Sequence, residues 1–209
     1  MSKVLLINGS SNDYGCTYTA LKEVADVLEK EGVEAEIISL GKNAIRDCIG
    51  CKTCGKLGKC VFDDDLVNEV RQKAKEADGF VFGTPVYYAH PSGRIQAFLD
   101  RLFYSGSADL AYKPAFAVAS ARRAGTTASL DVLNKYFTIN RMPVVSGQYW
   151  NMVHGNTPDE VRQDLEGLQN MRDLARNLAW LIRCIKAGEA AGFTHPQPEE
   201  VRQRTNFIR

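Results

Sequence analysis

From its N-terminus to about residue 188 the chain alternates short all-apolar runs with longer segments of helical period. Few features restrict a fold more. A run too short for a helix and with no polar side is what a strand buried on both faces requires. Val4 to Ile7 is such a run, and Ala35–Leu40, Gly79–Gly83, Pro114–Ala119 and Pro143–Val145 read as four more strands. Between them, Leu21, Val24, Ala25 and Leu28 recur at helical spacing, and Gly32 supplies a left-handed stop. Helices are also predicted over Asp65–Ala77, with Leu66, Val67 and Val70 inward, over Ser92–Tyr104, and over Thr126–Phe137. Regular βα alternation with short connections implies an α/β fold with helices on both faces of a parallel sheet. Five strands and five helices fit the doubly wound order 2-1-3-4-5.

The last helix is expected to be one long piece. Thr157 suits its N-cap, Pro158 its first position, and Asp159 and Glu160 the positive end of its dipole. Val161, Leu165, Leu168, Met171, Leu174, Leu178, Leu181 and Ile185 carry the period to Gly188. At 1.5 Å per residue it would span about 45 Å, more than one such domain needs. Residues 1–209 read as a single domain, with a cysteine-rich loop at 43–62 and a tail at 193–209 outside the alternation.

Charge narrows the partners. Lys plus Arg is 26 against 25 for Asp plus Glu, a net charge of +1, which argues against nucleic acid and against an acidic electron shuttle. No apolar run reaches the roughly 20 residues that cross a bilayer, and the apolar start is too short for a signal peptide. A cytoplasmic location is therefore expected, where six cysteines serve redox or metal chemistry rather than a disulfide framework.

The first βα loop runs Gly9-Ser10-Ser11-Asn12-Asp13-Tyr14-Gly15-Cys16-Thr17. At the carboxyl end of a strand, before a helix N-terminus, hydroxyls and glycines suit a phosphate held by neutral donors. The loop has neither the Lys-Ser/Thr of a Walker A motif nor the Gly-x-Gly-x-x-Gly of a dinucleotide site. A plain turn with polar caps is the other reading. Cys16 would have its pKa lowered by the helix that follows. After the third strand, Thr84-Pro85-Val86-Tyr87-Tyr88 offers an extended chain and two aromatic rings, either a wall for a flat ligand or simple surface packing. After the fourth, Ser120-Ala121-Arg122-Arg123-Ala124-Gly125-Thr126 brings two arginines to the same edge, either toward a ligand or into solvent.

These three loops resemble those of the flavodoxin-like NAD(P)H-dependent FMN reductases. The resemblance implies that Ser10, Ser11, Asn12, Cys16 and Thr17 hold the FMN phosphate. It places Pro85, Val86, Tyr87 and Tyr88 against the flavin ring, and Ser120, Arg122, Arg123, Gly125 and Thr126 in the loop closing over it. Relatives often carry a basic residue at the position of Asn12 and Asn at that of Cys16. An arginine near the pyrimidine side would stabilise negative charge on reduced flavin.

Cys48, Cys51, Cys54 and Cys60 form a C-x2-C-x2-C-x5-C run with three glycines inside it. Tight spacing lets thiolates turn onto one small centre, in the style of a [4Fe–4S] site, whereas zinc ribbons prefer two separated pairs. Lys42, Arg46, Lys52, Lys56 and Lys59 would lower the thiol pKa values. The run, closing on Cys-Val-Phe-Asp-Asp-Asp, is similar to that of the iron-sulfur flavoproteins, relatives of the FMN reductases that carry a [4Fe–4S] cluster there. Zinc and cluster-free thiols remain open on the residues alone. Cys184, among Leu178, Leu181, Ile182 and Ile185, is read as a small core residue. His90, His154 and His195 form no ligand pattern, and no acid–base triad stands out; none is required for hydride transfer to a flavin.

The expected function is thus an FMN-dependent oxidoreductase of iron-sulfur flavoprotein type. It would pass electrons between a reduced donor (NAD(P)H or a one-electron carrier), FMN and a [4Fe–4S] cluster. A cluster-free NAD(P)H-dependent FMN or quinone reductase and a non-enzymatic flavodoxin-like carrier are the alternatives. A homodimer or homotetramer is expected, because excess helix length and a tail with Phe193, Phe207 and Ile208 would leave apolar surface for a second copy. The resemblance points the same way.

Overall fold

In the computed structural model, residues 1–197, 199–201, 203 and 205 are described. The strands are β1 (Ser2–Asn8), β2 (Val33–Ser39), β3 (Gly79–Tyr87), β4 (His90–Pro91), β5 (Ala115–Ala121) and β6 (Met152–His154). The helices are α1 (Cys16–Lys30), α2 (Cys54–Leu57), α3 (Val67–Glu76), α4 (Gly93–Leu110), α5 (Thr126–Ile139), α6 (Pro158–Gln163) and α7 (Leu165–Ala190). The sheet order is β2-β1-β3-β5-β6, with every one of these neighbours parallel. Two-residue β4 pairs antiparallel with the end of β3. Setting that hairpin aside leaves the doubly wound order expected from the alternation.

Strand pleating divides the core. Leu5, Ile7, Phe80 and Phe82 face α3, α4 and α5, while Val4, Leu6 and Val81 face α1 and α7. Because successive side chains point to opposite faces, an all-apolar strand supplies both halves at once. The α1 stripe of Leu21, Val24 and Leu28 is fully buried, and the chain turns out at Gly32 with φ 75°.

Three expectations are corrected. Pro143–Val145 is not the fifth strand: it contributes one isolated bridge, between Val144 and Ala115, and β6 takes the sheet position beside the end of β5. The last helix is two helices. At Asp164 the backbone leaves helical geometry (ψ 77°), and its carboxylate accepts from the amides of Gly167 and His154. An Asp bonding backbone three residues on favours a new N-cap over helix continuation. Cys184 is exposed, because the inward stripe of α7 runs through Leu174, Leu178 and Ile182. Of the apolar tail residues, Phe193 is exposed, and Phe207 and Ile208 lie outside the described residues. No helix among the described residues is long and apolar enough to cross a membrane.

Candidate cofactor groove and cysteine pocket

The first loop is shaped from beneath by Asn8, the last residue of β1. Asn8 is fully buried. Its Nδ2 donates to the carbonyls of Asn12 and Asp13, both at 3.4 Å, and to Ser39 Oγ at 3.2 Å, while Oδ1 accepts from the Ser10 amide at 3.1 Å. Ser10 Oγ accepts from the Asn12 amide, and Asn12 Oδ1 from that of Tyr14. The loop thus reaches α1 with its shape held by side-chain amides. There the N-cap is Gly15, which has no side chain to offer, and the first turn holds no acid. The opening amides of a fifteen-residue helix are therefore left for an outside acceptor.

Beside that helix end lies an open groove of about 280 Å³. The first loop contributes Ser10, Asn12, Cys16 and Thr17, the third strand's end Pro85, Val86 and Tyr87, and the next loop Ser120 and Arg122. Ser11, Tyr88, Arg123, Gly125 and Thr126 do not line it. Tyr88 and Arg123 are exposed, and the buried Thr126 turns its hydroxyl to the Met152 sulfur at 3.2 Å. Gly155, Asn156 and Pro158 complete the wall after β6, and sequence reasoning assigned them no contact. A three-residue strand of mixed polarity gives no period to announce that edge.

Long-range bonds fix the loops to one another. Thr17 Oγ1 and Ser120 Oγ, both buried, stand 2.7 Å apart. Ser92 Oγ donates to the Gly9 carbonyl at 2.9 Å, and the Ser92 amide donates to Thr84 Oγ1 at 3.0 Å. Tyr88 and Ala89, at the tip of the β3–β4 hairpin, have φ of 50° and 62°, the left-handed pair of a tight hairpin turn. Gly125 (φ 94°) lies against that tip: a Cβ there would meet Ala89 Cα at 2.5 Å. Cys16 departs from expectation. Burial pushes its thiol pKa up, with Glu160 adding to the rise, and its sulfur faces the Gly155 carbonyl at 3.5 Å.

All four cysteines of the C-x2-C-x2-C-x5-C run line a second, small pocket of about 20 Å³ walled by Arg101, Tyr104 and Ser105 of α4. Cys60 is buried, Cys48 and Cys54 are half-buried, and Cys51 is exposed. Asn68 of α3 brackets Cys60: Oδ1 accepts from its amide at 2.9 Å, and Nδ2 donates to its carbonyl at 3.0 Å. The lysines do not lower the thiol of Cys51; hydrogen bonding from Thr53 does. Lys59 and Arg46 are instead engaged with Asp63 and Asp64. As they stand, no three Cys, His, Asp or Glu side chains among the described residues converge closely enough to hold an ion. The donor set nevertheless suits an iron-sulfur centre: four thiols on one apolar pocket, in a loop with Gly50 and Gly58 at φ near 65°. The groove and the cysteine pocket share no lining residue.

Known proteins resemble this chain over most of its length. Residues 2–157, which carry the cysteine pocket and all of the groove lining but Pro158, match the family model described as NADPH-dependent FMN reductase. An iron-sulfur flavoprotein of Methanocaldococcus jannaschii is 32% identical over 195 residues, covering 88% of this chain and 99% of that protein. The chain belongs to the iron-sulfur flavoprotein / NADPH-dependent FMN reductase family. It is a flavin-dependent oxidoreductase with a flavodoxin-like fold. Among solved structures, RosB with a bound 8-demethyl-8-formylriboflavin-5'-phosphate intermediate superposes with a TM-score of 0.72 at 15% identity, covering 100% of this chain and 93% of that one. A flavodoxin from the domain Archaea gives 0.58 at 15% identity, covering 88% and 99%. Both show the likeness of fold.

Proposed function

We propose that this family member passes electrons between a reduced donor, FMN in the groove and a [4Fe–4S] cluster held by Cys48, Cys51, Cys54 and Cys60. The observation that carries this reading is the pairing of two built features on one chain. One is a helix N-terminus left open at a groove that spans four strand ends; the other is a pocket faced by four thiols. When bound, the flavin supplies two-electron and one-electron chemistry, and the cluster one-electron chemistry.

The chain supplies position and charge. The amides opening α1 bind the phosphate, with Ser10, Asn12 and Thr17 at the groove and Ser11 in the same loop outside its lining, and the single helix end favours FMN over a dinucleotide. Pro85, Val86 and Tyr87 wall the groove, while Gly125 seats the closing loop against the β3–β4 hairpin and Thr126 ties it to Met152 of β6. Arg122 at the groove, with Arg123 beside it, places positive charge where electrons arrive. Cys16 keeps its proton at neutral pH, so it binds as a neutral thiol and takes no nucleophilic part. We read residues 1–209 as one FMN-binding unit that works in the cytoplasm as a homodimer or homotetramer, with a small molecule or a protein as donor and acceptor.

Anaerobic mixing with NADH, NADPH or a one-electron reductant, followed at the flavin absorbance, tests this reading. Flavin reduction by a nicotinamide followed by transfer to a one-electron acceptor is expected. Nicotinamide turnover without iron would support the cluster-free reductase. Failure of both nicotinamides, with ready one-electron exchange, would support a carrier.

A further inference from the structure

We propose that Arg101 is the positioning residue of the cysteine pocket: it clasps both ends of the cysteine loop and, through the Cys60 sulfur, sets the electron affinity of the iron centre. The second half of this proposal rests on the cluster reading above; the first does not.

Arg101 is only 1% exposed, although it carries a permanent charge. Every arm of its fork is used. Nε donates to Cys60 Sγ at 3.2 Å, Nη2 to the Phe62 carbonyl at 3.2 Å, and Nη1 to the Arg46 carbonyl at 3.3 Å and to the Asp65 carboxylate. Its guanidinium also lies over the Phe62 ring, 5.2 Å from the centroid. Arg46 stands two residues before Cys48, and Phe62 two residues after Cys60. One side chain from the middle of α4 therefore bridges the entrance and the exit of the loop.

Stability alone gives little reason for this arrangement. A buried ion pair is often matched or bettered by apolar side chains of similar volume. What apolar packing cannot do is donate to a sulfur. A fixed N–H and a positive charge at a ligand sulfur withdraw electron density from the centre, favouring its reduced form and raising its potential. Lysine keeps the charge without the planar fork, so it cannot bridge four acceptors.

The test uses full-length Arg101→Met and Arg101→Lys proteins, purified without oxygen, beside the wild type. In the metal-free state, hydrogen exchange of peptides covering 44–62 should quicken at least about tenfold in Arg101→Met, as loss of a buried charge-assisted bond implies, with β1 and β3 unchanged. After reconstitution with ferrous iron and sulfide, the centre should titrate at a more negative potential in Arg101→Met, with Arg101→Lys between; failure of Arg101→Met to load iron supports the clasp. Should Arg101→Met fail to fold, Arg101→Lys is held to the same directions. Unchanged loop exchange in a folded variant overturns the clasp, and an unchanged potential overturns the tuning. Wild type that takes up no iron defeats the cluster reading and the tuning with it, while the metal-free exchange still decides the clasp.

Discussion

Thr17 and Ser120, 103 positions apart in sequence, share a buried hydroxyl–hydroxyl bond of 2.7 Å. It joins the first turn of α1 to the end of β5, so the loop at the helix N-terminus and the loop carrying Arg122 are held as one rigid edge. A buried hydroxyl that loses its partner costs about 1–3 kcal/mol. Thr17→Val should lower stability by that order and weaken FMN binding roughly tenfold. The double variant with Ser120→Ala should be less destabilised than the sum of the two single changes, which denaturant titration checks as a double-mutant cycle.

Asn8→Ala removes four hydrogen bonds that set the shape of the phosphate loop. Flavin affinity should fall by about one to two orders of magnitude, since roughly 1.4 kcal/mol is a factor of ten and several buried bonds are lost. Fluorescence titration of the flavin-free protein measures this directly. A variant that binds FMN as the wild type does would show that the loop keeps its shape without Asn8.

Gly125→Ala meets two obstacles at once: φ of 94°, and Ala89 Cα at 2.5 Å from the new Cβ. A loss of at least about 1–2 kcal/mol is expected, or several degrees in melting temperature for a chain of this size. Gly32, with φ 75° and open space around it, isolates the backbone contribution, so Gly32→Ala should cost less. Thermal unfolding of the two variants side by side makes the comparison.

Much of the fold was legible because it follows from periodicity. Val4 to Ile7 has no polar face to hide, and Leu21, Val24 and Leu28 could belong only to a helix packed on a sheet. The misreadings have local causes. Leu165 sits at helical spacing yet is 74% exposed, because Asp164 restarts the helix, and spacing does not reveal where an Asp carboxylate turns. Val144 and Val145 look like a strand but make a single bridge, while β6 contributes three residues only. At the sites, the three groove loops and the cysteine run stood out as features in the residues, and the resemblance supplied what they are expected to hold. Asn8, Asn68 and Arg101 did not: their roles are set by burial and by partners as distant as Arg46 and Arg101 are, 55 positions apart.

Cys16 supplies a pH prediction. Its thiol pKa is raised in the folded chain, first by burial and then by Glu160, so folding favours the protonated form. Any stability linked to this thiol is complete below the ordinary value of about 8.5 and is lost as pH rises through the folded value. Iodoacetamide labelling of Cys16 in flavin-free protein should therefore reach half-maximal rate at a higher pH than in the unfolded chain, and Cys51, whose thiol is lowered, should label at lower pH than Cys16. Peptide mass spectrometry across a pH series reads both.

A chain that holds both FMN and a four-iron centre carries a stoichiometry that can be counted. Protein purified without oxygen, reconstituted with ferrous iron and sulfide and freed of excess reagent, should be assayed for released flavin, iron and acid-labile sulfide per chain. Close to one FMN is expected, with no FAD, and close to four iron and four sulfide, as a single [4Fe–4S] cluster requires. Cys54→Ser should keep its flavin while losing the iron. Wild-type protein that binds stoichiometric FMN but no stoichiometric iron would overturn the two-cofactor reading, leaving the cysteine loop as an anchor on a simple FMN-dependent reductase.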